Sequence, residues 1–408
     1  FIRSLNKTKF PKSIKHFSFQ AVEKLKPELR KAQEEANKGR KENVRFSFVK
    51  NDFLKYQSSV NRKFSFIAGN PPYIKKSLLN KNQISLCEEI RSSAGLAETS
   101  IKNIWPYFLV RNCQLLDENG VLAFVLPAEL LQVNFSIELR QFLVTNFQRT
   151  EIFTFDDLLF ECKGQDTVLL IAYKQHKLQG QYYAHINNLS QLSSNTFELK
   201  ENKALKVNET KWTHHLLSSD ELTYLYKIAG KLNTVNHYCD SKPGIVTAAN
   251  NFFIVNEETE KLYNLSEFVK PIIQKGFFVN GSVVFDKKEF KQIVSEGKPS
   301  KVLCISDEKV AELPLTVRNY LKIGVDLELP DRYKCSKRNN WFVVPNISIP
   351  PDGFFFRRIH HYPKLLKNKA KVLVTDTAYK IEMRSGYKIN SLIYSFYNSL
   401  SLTFAELS

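Results

Sequence analysis

The chain has 408 residues, 43% of them hydrophobic and 25% charged, with a formal net charge of +18 and a pI near 9.4. That length exceeds one ordinary core and fits about two domains, and no apolar run approaches the ~18 residues of a transmembrane helix. The cationic excess favours a polyanionic partner, nucleic acid ahead of a membrane surface, while six cysteines scattered without any C-x-x-C argue against zinc or a disulfide framework and for a reduced, cytoplasmic setting.

Residues 17–22 read as a strand, followed by Glu23 and a helix over 24–40 with Pro27 in its first turn, where a missing N–H is tolerated. Residues 44–49 alternate like a second strand, closed by Asn51-Asp52-Phe53-Leu54. Phe64, Phe66 and Ile67 end a third strand, which Gly69 and the run Asn70-Pro71-Pro72-Tyr73 stop. A helix is expected over 103–116, ended by Asp117-Glu118-Asn119-Gly120, then a buried strand over 121–126 stopped by Pro127. A helix near 136–145 and strands near 149–155 and 167–173 follow. Repeated alternation of strand and helix predicts a parallel sheet with helices on both faces. Residues 176–215 are polar with short strand-like pieces, and 219–231 read as a capped helix. Beyond Gly244, short strands, prolines and polar loops predict α+β structure, with a domain boundary between 216 and 217.

The Asn70–Tyr73 run stands where α/β sheets bind ligands, just past a strand's carboxyl end. Each proline removes a donor and fixes φ near −65°. The loop therefore presents carbonyl acceptors, to which Asn70 adds a side-chain carbonyl and Tyr73 a flat aromatic face with a polar tip. Two acceptors beside an aromatic plate suit a planar group bearing an NH2, such as a nucleobase with an exocyclic amine. Glu23 and Asp52 also follow strands in successive βα units, and a carboxylate after the second strand of such a fold takes ribose hydroxyls.

With these runs in order, together with Asn103-Ile104-Trp105-Pro106-Tyr107-Phe108, Gly120 to Pro127 and Phe160 to Val168, residues 10–175 resemble the N6-adenine DNA methyltransferases of bacterial restriction–modification systems, the Taq-type subgroup. The resemblance implies a Rossmann-like class I methyltransferase sheet followed by an α+β target recognition domain. It implies S-adenosyl-L-methionine as cofactor, its ribose on Glu23 and its adenine held by Asp52, Phe53 and Phe108. Catalysis would rest on Asn70, Pro71, Pro72 and Tyr73, with Asn70 and the Pro71 carbonyl accepting from the target N6 amine. Tyr73 and Phe160 would stack on a flipped-out adenine. The family's glycine-rich cofactor loop should precede Glu23, yet no glycine does, so that loop is expected upstream of Phe1. The last recognition segment is likewise expected to run past Ser408.

Residues 331–371 hold ten Lys or Arg and two Asp, a balance of +8, interleaved with Tyr333, Trp341, Phe342, Phe354 to Phe356 and Tyr362. Within it Lys337, Arg338, Arg357, Arg358 and Lys364 suit phosphates or guanine edges. Gly244-Ile245-Val246-Thr247 and 354–381 also resemble the recognition domains. The expected partner is double-stranded DNA, with a cognate restriction endonuclease acting on the same sequence and a monomeric, membrane-free enzyme. No metal is expected, and the His360-His361 pair reads as polar surface. Two alternatives stay open: an RNA methyltransferase, because Asn-Pro-Pro-Tyr also serves amine and amide substrates elsewhere, and a DNA-binding remnant of a methyltransferase without cofactor.

Overall fold

The first two strand patterns form a parallel pair, β1 (Phe17–Glu23) and β2 (Val44–Lys50), in register from Phe17 opposite Val44 to Glu23 opposite Lys50. This computed structural model describes every residue except 9, 11–14, 40, 57–61, 98–100, 157–165, 202–210, 214–216, 280, 308, 348, 360–361 and 408. The short helix α1 (Ile2–Lys7) precedes the pair, and α2 (Lys26–Lys38) connects its strands. Pro27 lies in the first turn of α2, which buries Leu29 and Ala36. A row of rings, Phe17, Phe19, Phe46 and Phe48, stacks along one face of the pair.

A six-stranded sheet follows. Its strands are β3 (Phe64–Gly69), β4 (Leu116–Pro127), β5 (Arg149–Phe155), β6 (Thr167–Tyr173), β7 (Gly180–Ile186) and β8 (Lys200–Glu201), in the order β3-β4-β6-β5-β7-β8. It is mixed, not parallel throughout. β3 pairs parallel with β4, and β5 with β7, but β6 runs antiparallel to both β4 and β5. Parallel neighbours need a crossover connection, usually helical, and no helix lies between β5 and β6 among the described residues. The polar 176–215 stretch contains β7, which buries Tyr183, Ala184 and Ile186.

Helices α3 (Lys81–Ser93), α4 (Trp105–Leu115), the single turn α5 (Glu129–Gln132) and α6 (Ile137–Asn146) pack into one core with alternate positions of the sheet, among them Leu122, Phe124, Ile152 and Leu170. Phe153, Leu169 and Ile171 point to the other face, where Leu192, Phe197 and Leu199 meet them. Asn80 and Gln83 close α3 with a reciprocal capping box. The expected helix over 103–116 stops at Leu115, and β4 begins at once. Asp117 to Gly120 do not terminate a helix but form a bulge, since Phe64 pairs with Leu116 while Phe66 pairs with Val121.

The chain divides into two compact units, Phe1–Tyr224 with Leu407–Ser408, and Leu225–Glu406. The helix Ser219–Ala229 crosses that division. Its start is capped as Ser218 Oγ accepts from Glu221 N and Glu221 Oε2 accepts from Ser218 N at 2.8 Å. The second unit holds two sheets built of short strands, which is the expected α+β structure. One has the order β10 (Ile254–Val255), β13 (Lys301–Leu303), β11 (Val269–Ile273), β16 (Leu373–Val374). The other runs β12 (Val284–Phe285), β15 (Leu365–Asn368), β14 (Gly353–Phe356), β17 (Ala378–Met383), β9 (Cys239–Pro243). The helix Leu315–Asp326 lies with the first sheet around Phe252, Phe253 and Phe342. No helix among the described residues is long and apolar enough to cross a membrane.

Candidate active site

Gly69 ends β3 opposite Phe124 on β4, and a Cβ at Gly69 would lie 2.9 Å from the Phe124 ring. Only glycine lets the strand approach that buried ring so closely. The next residues leave the sheet as a turn: Asn70 is exposed, Pro71 buried, Pro72 exposed and Tyr73 half-buried against the core. Tyr73 Oη lies 3.0 Å from Asn70 Oδ1 and 3.0 Å from the Val125 carbonyl, and donates its one proton between them. The hydroxyl thus ties the Asn70 amide to β4 and orients its oxygen, whose second lone pair stays available. Among the described residues no donor reaches the Pro71 carbonyl. The turn therefore presents two oriented acceptors at the carboxyl end of the sheet.

Glu23 and Asp52 stand at the same end of the β1–β2 pair, where Asn51 N donates to the Glu23 carbonyl at 3.1 Å. Glu23 Oε1 accepts from Leu25 N at 2.8 Å. Asp52 Oδ1 accepts from Leu54 N at 3.2 Å and Oδ2 from Lys24 Nζ at 2.9 Å, so Lys24 links the two strand ends. Phe53 stacks on Phe108 with ring centroids 5.4 Å apart and planes at 19°. Two carboxylates at paired strand ends beside an aromatic pair have the acceptor and stacking chemistry to hold the hydroxyls, amine and ring of an adenosine. That fits the nucleoside half of S-adenosyl-L-methionine. Phe160 lies outside the described residues.

In the second unit the cationic candidates divide by what they touch. Lys337, Arg357 and Arg358 are exposed, although Arg357 Nη1 reaches the Asp376 carbonyl at 3.3 Å. Arg338 is half-buried over the Phe253 ring and donates to the carbonyls of Trp341 at 3.1 Å and Thr247 at 2.7 Å. Burial pulls its pKa down. Lys364 donates to the carbonyls of Gly276 at 3.1 Å and Val279 at 2.7 Å. Phe342, Phe354 and Phe356 are buried core residues, leaving Tyr333 and Tyr362 as exposed rings.

Folding joins the two recognition-like segments. Gly244 N donates to the Ala378 carbonyl and Ile245 N to Val374. A Cβ at Gly244 would lie 2.3 Å from the Thr375 carbonyl, so the backbones touch only because residue 244 is glycine. A cavity of about 450 Å³ beside this junction is lined by Thr247, Asn250, Asn251, Arg332, Lys334 and Asp376. Arg332 and Lys334 escaped residue-by-residue selection because every cation of the 331–371 run looks alike in sequence. A further cavity, about 1090 Å³, lies at the opposite ends of the first unit's strands, by Lys63, Gln148 and Gln181, away from the Asn70 turn.

Residues 3–160 match the family model of the Eco57I restriction-modification methylase, and residues 209–408 match that of the type II methyltransferase M.Eco57I, C-terminal domain. The type II methyltransferase M.AccI of Acinetobacter calcoaceticus is 21% identical over 296 residues, covering 70% of this chain and 53% of that protein. The type II restriction enzyme and methyltransferase RM.Eco57I of Escherichia coli is 27% identical over 208 residues, 48% of this chain and 20% of its own length. The chain thus spans about half of the first relative and a fifth of the second. The structure of the type IIL restriction-modification enzyme MmeI in complex with DNA shares the fold, with a TM-score of 0.56 and 13% identity over 91% of this chain and 48% of that one. Two models taken from one kind of enzyme match in chain order on either side of residue 200, so both parts of this chain are similar to restriction-modification methyltransferases.

Proposed function

We propose that the protein is a site-specific DNA methyltransferase that modifies the N6 amine of an adenine, the modification arm of a restriction–modification system. One observation carries this reading: the Asn70 amide oxygen and the Pro71 carbonyl form an oriented pair of acceptors at the carboxyl end of β3, pinned by Tyr73. The lone pair of an adenine N6 is delocalised into the ring and is a poor nucleophile. Acceptors on both amine hydrogens favour a pyramidal nitrogen with its lone pair directed outward. Neutral Asn70 and a backbone carbonyl suffice, because positioning and fixed dipoles do the work.

S-adenosyl-L-methionine, when bound, supplies an electrophilic methyl group. Glu23 would hold its ribose hydroxyls, Asp52 its adenine amine, and Phe53 with Phe108 its ring. A paired adenine hides N6 in the duplex, so the target base must be flipped out, at a cost of a few kcal/mol. Stacking on Tyr73 and Phe160, worth roughly 1–3 kcal/mol per base, offsets much of that. Lys337, Arg357 and Arg358, with Arg332 and Lys334 at the 450 Å³ cavity, would meet the DNA. Arg338 and Lys364 would act behind that surface by holding the Thr247 and Gly276–Val279 loops.

The test is transfer of radiolabelled methyl groups by the full-length protein to duplex DNA of random sequence, with mapping of N6-methyladenine. Label in adenine, lost on Asn70→Ala and resistant to competing transfer RNA, is the expected result. Label that moves to RNA, or persists in Asn70→Ala, overturns the proposal.

A further inference from the structure

We propose that a cavity beside the Asn70–Tyr73 turn holds a second nucleotide of the bound strand, with its phosphate on Lys75, Lys76 and Lys102 and a base N–H on Glu129. The cavity, of about 650 Å³, is also lined by Asn103 and Phe135. Two segments build its rim. Ile104 N donates to the Ile74 carbonyl and Lys76 N to the Lys102 carbonyl, both at 3.0 Å, with an antiparallel bridge between Lys75 and Asn103. The three lysines, all exposed, thus stand on one rigid two-segment frame that begins two residues after Tyr73. None has an ion-pair partner among the described residues.

The fourth group is a carboxylate. Glu129 lies on α5, two residues past the end of β4, and its Oε2 is buried without a hydrogen-bond partner. Its backbone is held from both sides. Ala128 N donates to the Asp166 carbonyl at 2.8 Å. The buried Arg140 donates through Nη1 to the carbonyls of Leu130 at 2.8 Å and Val133 at 3.3 Å. Phe135 is braced by Trp105, with ring centroids 6.4 Å apart. A buried acceptor without a donor costs stability, and an arriving donor would relieve that cost.

Three cations at a rim and one acceptor within exclude simpler occupants. A small anion would satisfy the lysines but meet a carboxylate and bring it no donor. A neutral molecule would leave three cations unserved. A nucleotide carries an anionic phosphodiester and, on its base edge, N–H donors of the kind a carboxylate accepts. The site adjoins the catalytic turn, so the nucleotide would come from the strand next to the flipped adenine. The inference rests on the function proposed above and adds a grip on the neighbouring backbone, with a base-sensing contact.

The test compares full-length wild type with the triple variant Lys75→Gln/Lys76→Gln/Lys102→Gln and with Glu129→Gln, after melting curves establish that each is folded. Duplex binding is followed by fluorescence anisotropy across a salt series. Loss of three phosphate contacts should flatten the plot of log K against log salt by about 2 to 3, at roughly 0.7–0.9 per contact, equally for all sequences. Glu129→Gln should keep the slope and change the base preference at one position flanking the methylated adenine. An unchanged slope in the triple variant, or unchanged flanking preference in Glu129→Gln, overturns the inference while wild-type adenine methylation leaves the proposed function standing. Wild type that neither binds nor labels duplex DNA overturns both. Binding of free dAMP that is lost in the triple variant, with the duplex slope intact, would assign the cavity to a mononucleotide and overturn the inference.

Discussion

Tyr73→Phe isolates what the hydroxyl does from what the ring does. The substitution keeps the ring packed on the core and able to stack, and deletes one oxygen that lies 3.0 Å from Asn70 Oδ1 and 3.0 Å from the Val125 carbonyl. A neutral hydrogen bond contributes about 1 kcal/mol net, in a range of 0.5–1.5. If that energy holds the Asn70 amide in its reactive orientation, the single-turnover methylation rate should fall about 2- to 12-fold, since about 1.4 kcal/mol is a factor of ten. Binding of duplex DNA should hardly change, because the stacking surface is intact. The same loss should lower the melting temperature by about 2–4 °C per kcal/mol in a domain of this size. The assay is single-turnover transfer of labelled methyl at saturating enzyme, beside anisotropy titration of the duplex. A full wild-type rate in Tyr73→Phe, or a deficit that appears only as weaker DNA binding, would refute the positioning role. Asn70→Ala, which removes the acceptor itself, should cost on the order of 10²-fold or more in rate, by analogy with the removal of one preorganised polar contact at a reacting group.

Gly69→Ala places a methyl 2.9 Å from the Phe124 ring; overpacking of about 1–3 kcal/mol and a displaced turn should lower both melting temperature and methylation rate. Gly324→Ala sets a Cβ 2.2 Å from the Trp341 ring and 2.7 Å from Phe252. It should destabilise the second unit, measurable by calorimetry, and weaken duplex binding. Burial pushes the thiols of Cys87 and Cys113 up from 9.0 to about 12. The folded chain keeps them protonated while the unfolded chain ionises, so their contribution to stability is complete below pH 9 and lost as pH rises toward 12. Denaturant midpoints measured across that range should fall, and alkylation at pH 8 should spare both thiols until the protein unfolds.

Local patterns carried most of the first unit. Apolar runs and a first-turn proline located β1, β2, β3 and the helix α2 within a few residues, because alternation and helix-start signals are nearest-neighbour properties. The Asn70–Tyr73 turn was legible for the same reason, since two prolines and a preceding glycine dictate a rigid, acceptor-rich loop wherever they stand. What failed was long-range. Asp117 to Gly120 look like a helix stop, and only pairing with β3 turns them into a bulge. β6 reads as one more parallel strand, and its direction depends on the connection before it.

Composition and order alone determined the cationic character of the chain and a rigid, acceptor-bearing turn at a strand end. Tertiary structure decided which groups are free to act. It ties the Tyr73 hydroxyl to Asn70, sinks Arg338 onto Phe253, commits Lys364 to two carbonyls and brings Lys75, Lys76, Lys102 and Glu129 to the lining of one cavity. The physical reason is that a side chain's charge is written in its codon, whereas its partners and its exposure are set by residues far away in sequence.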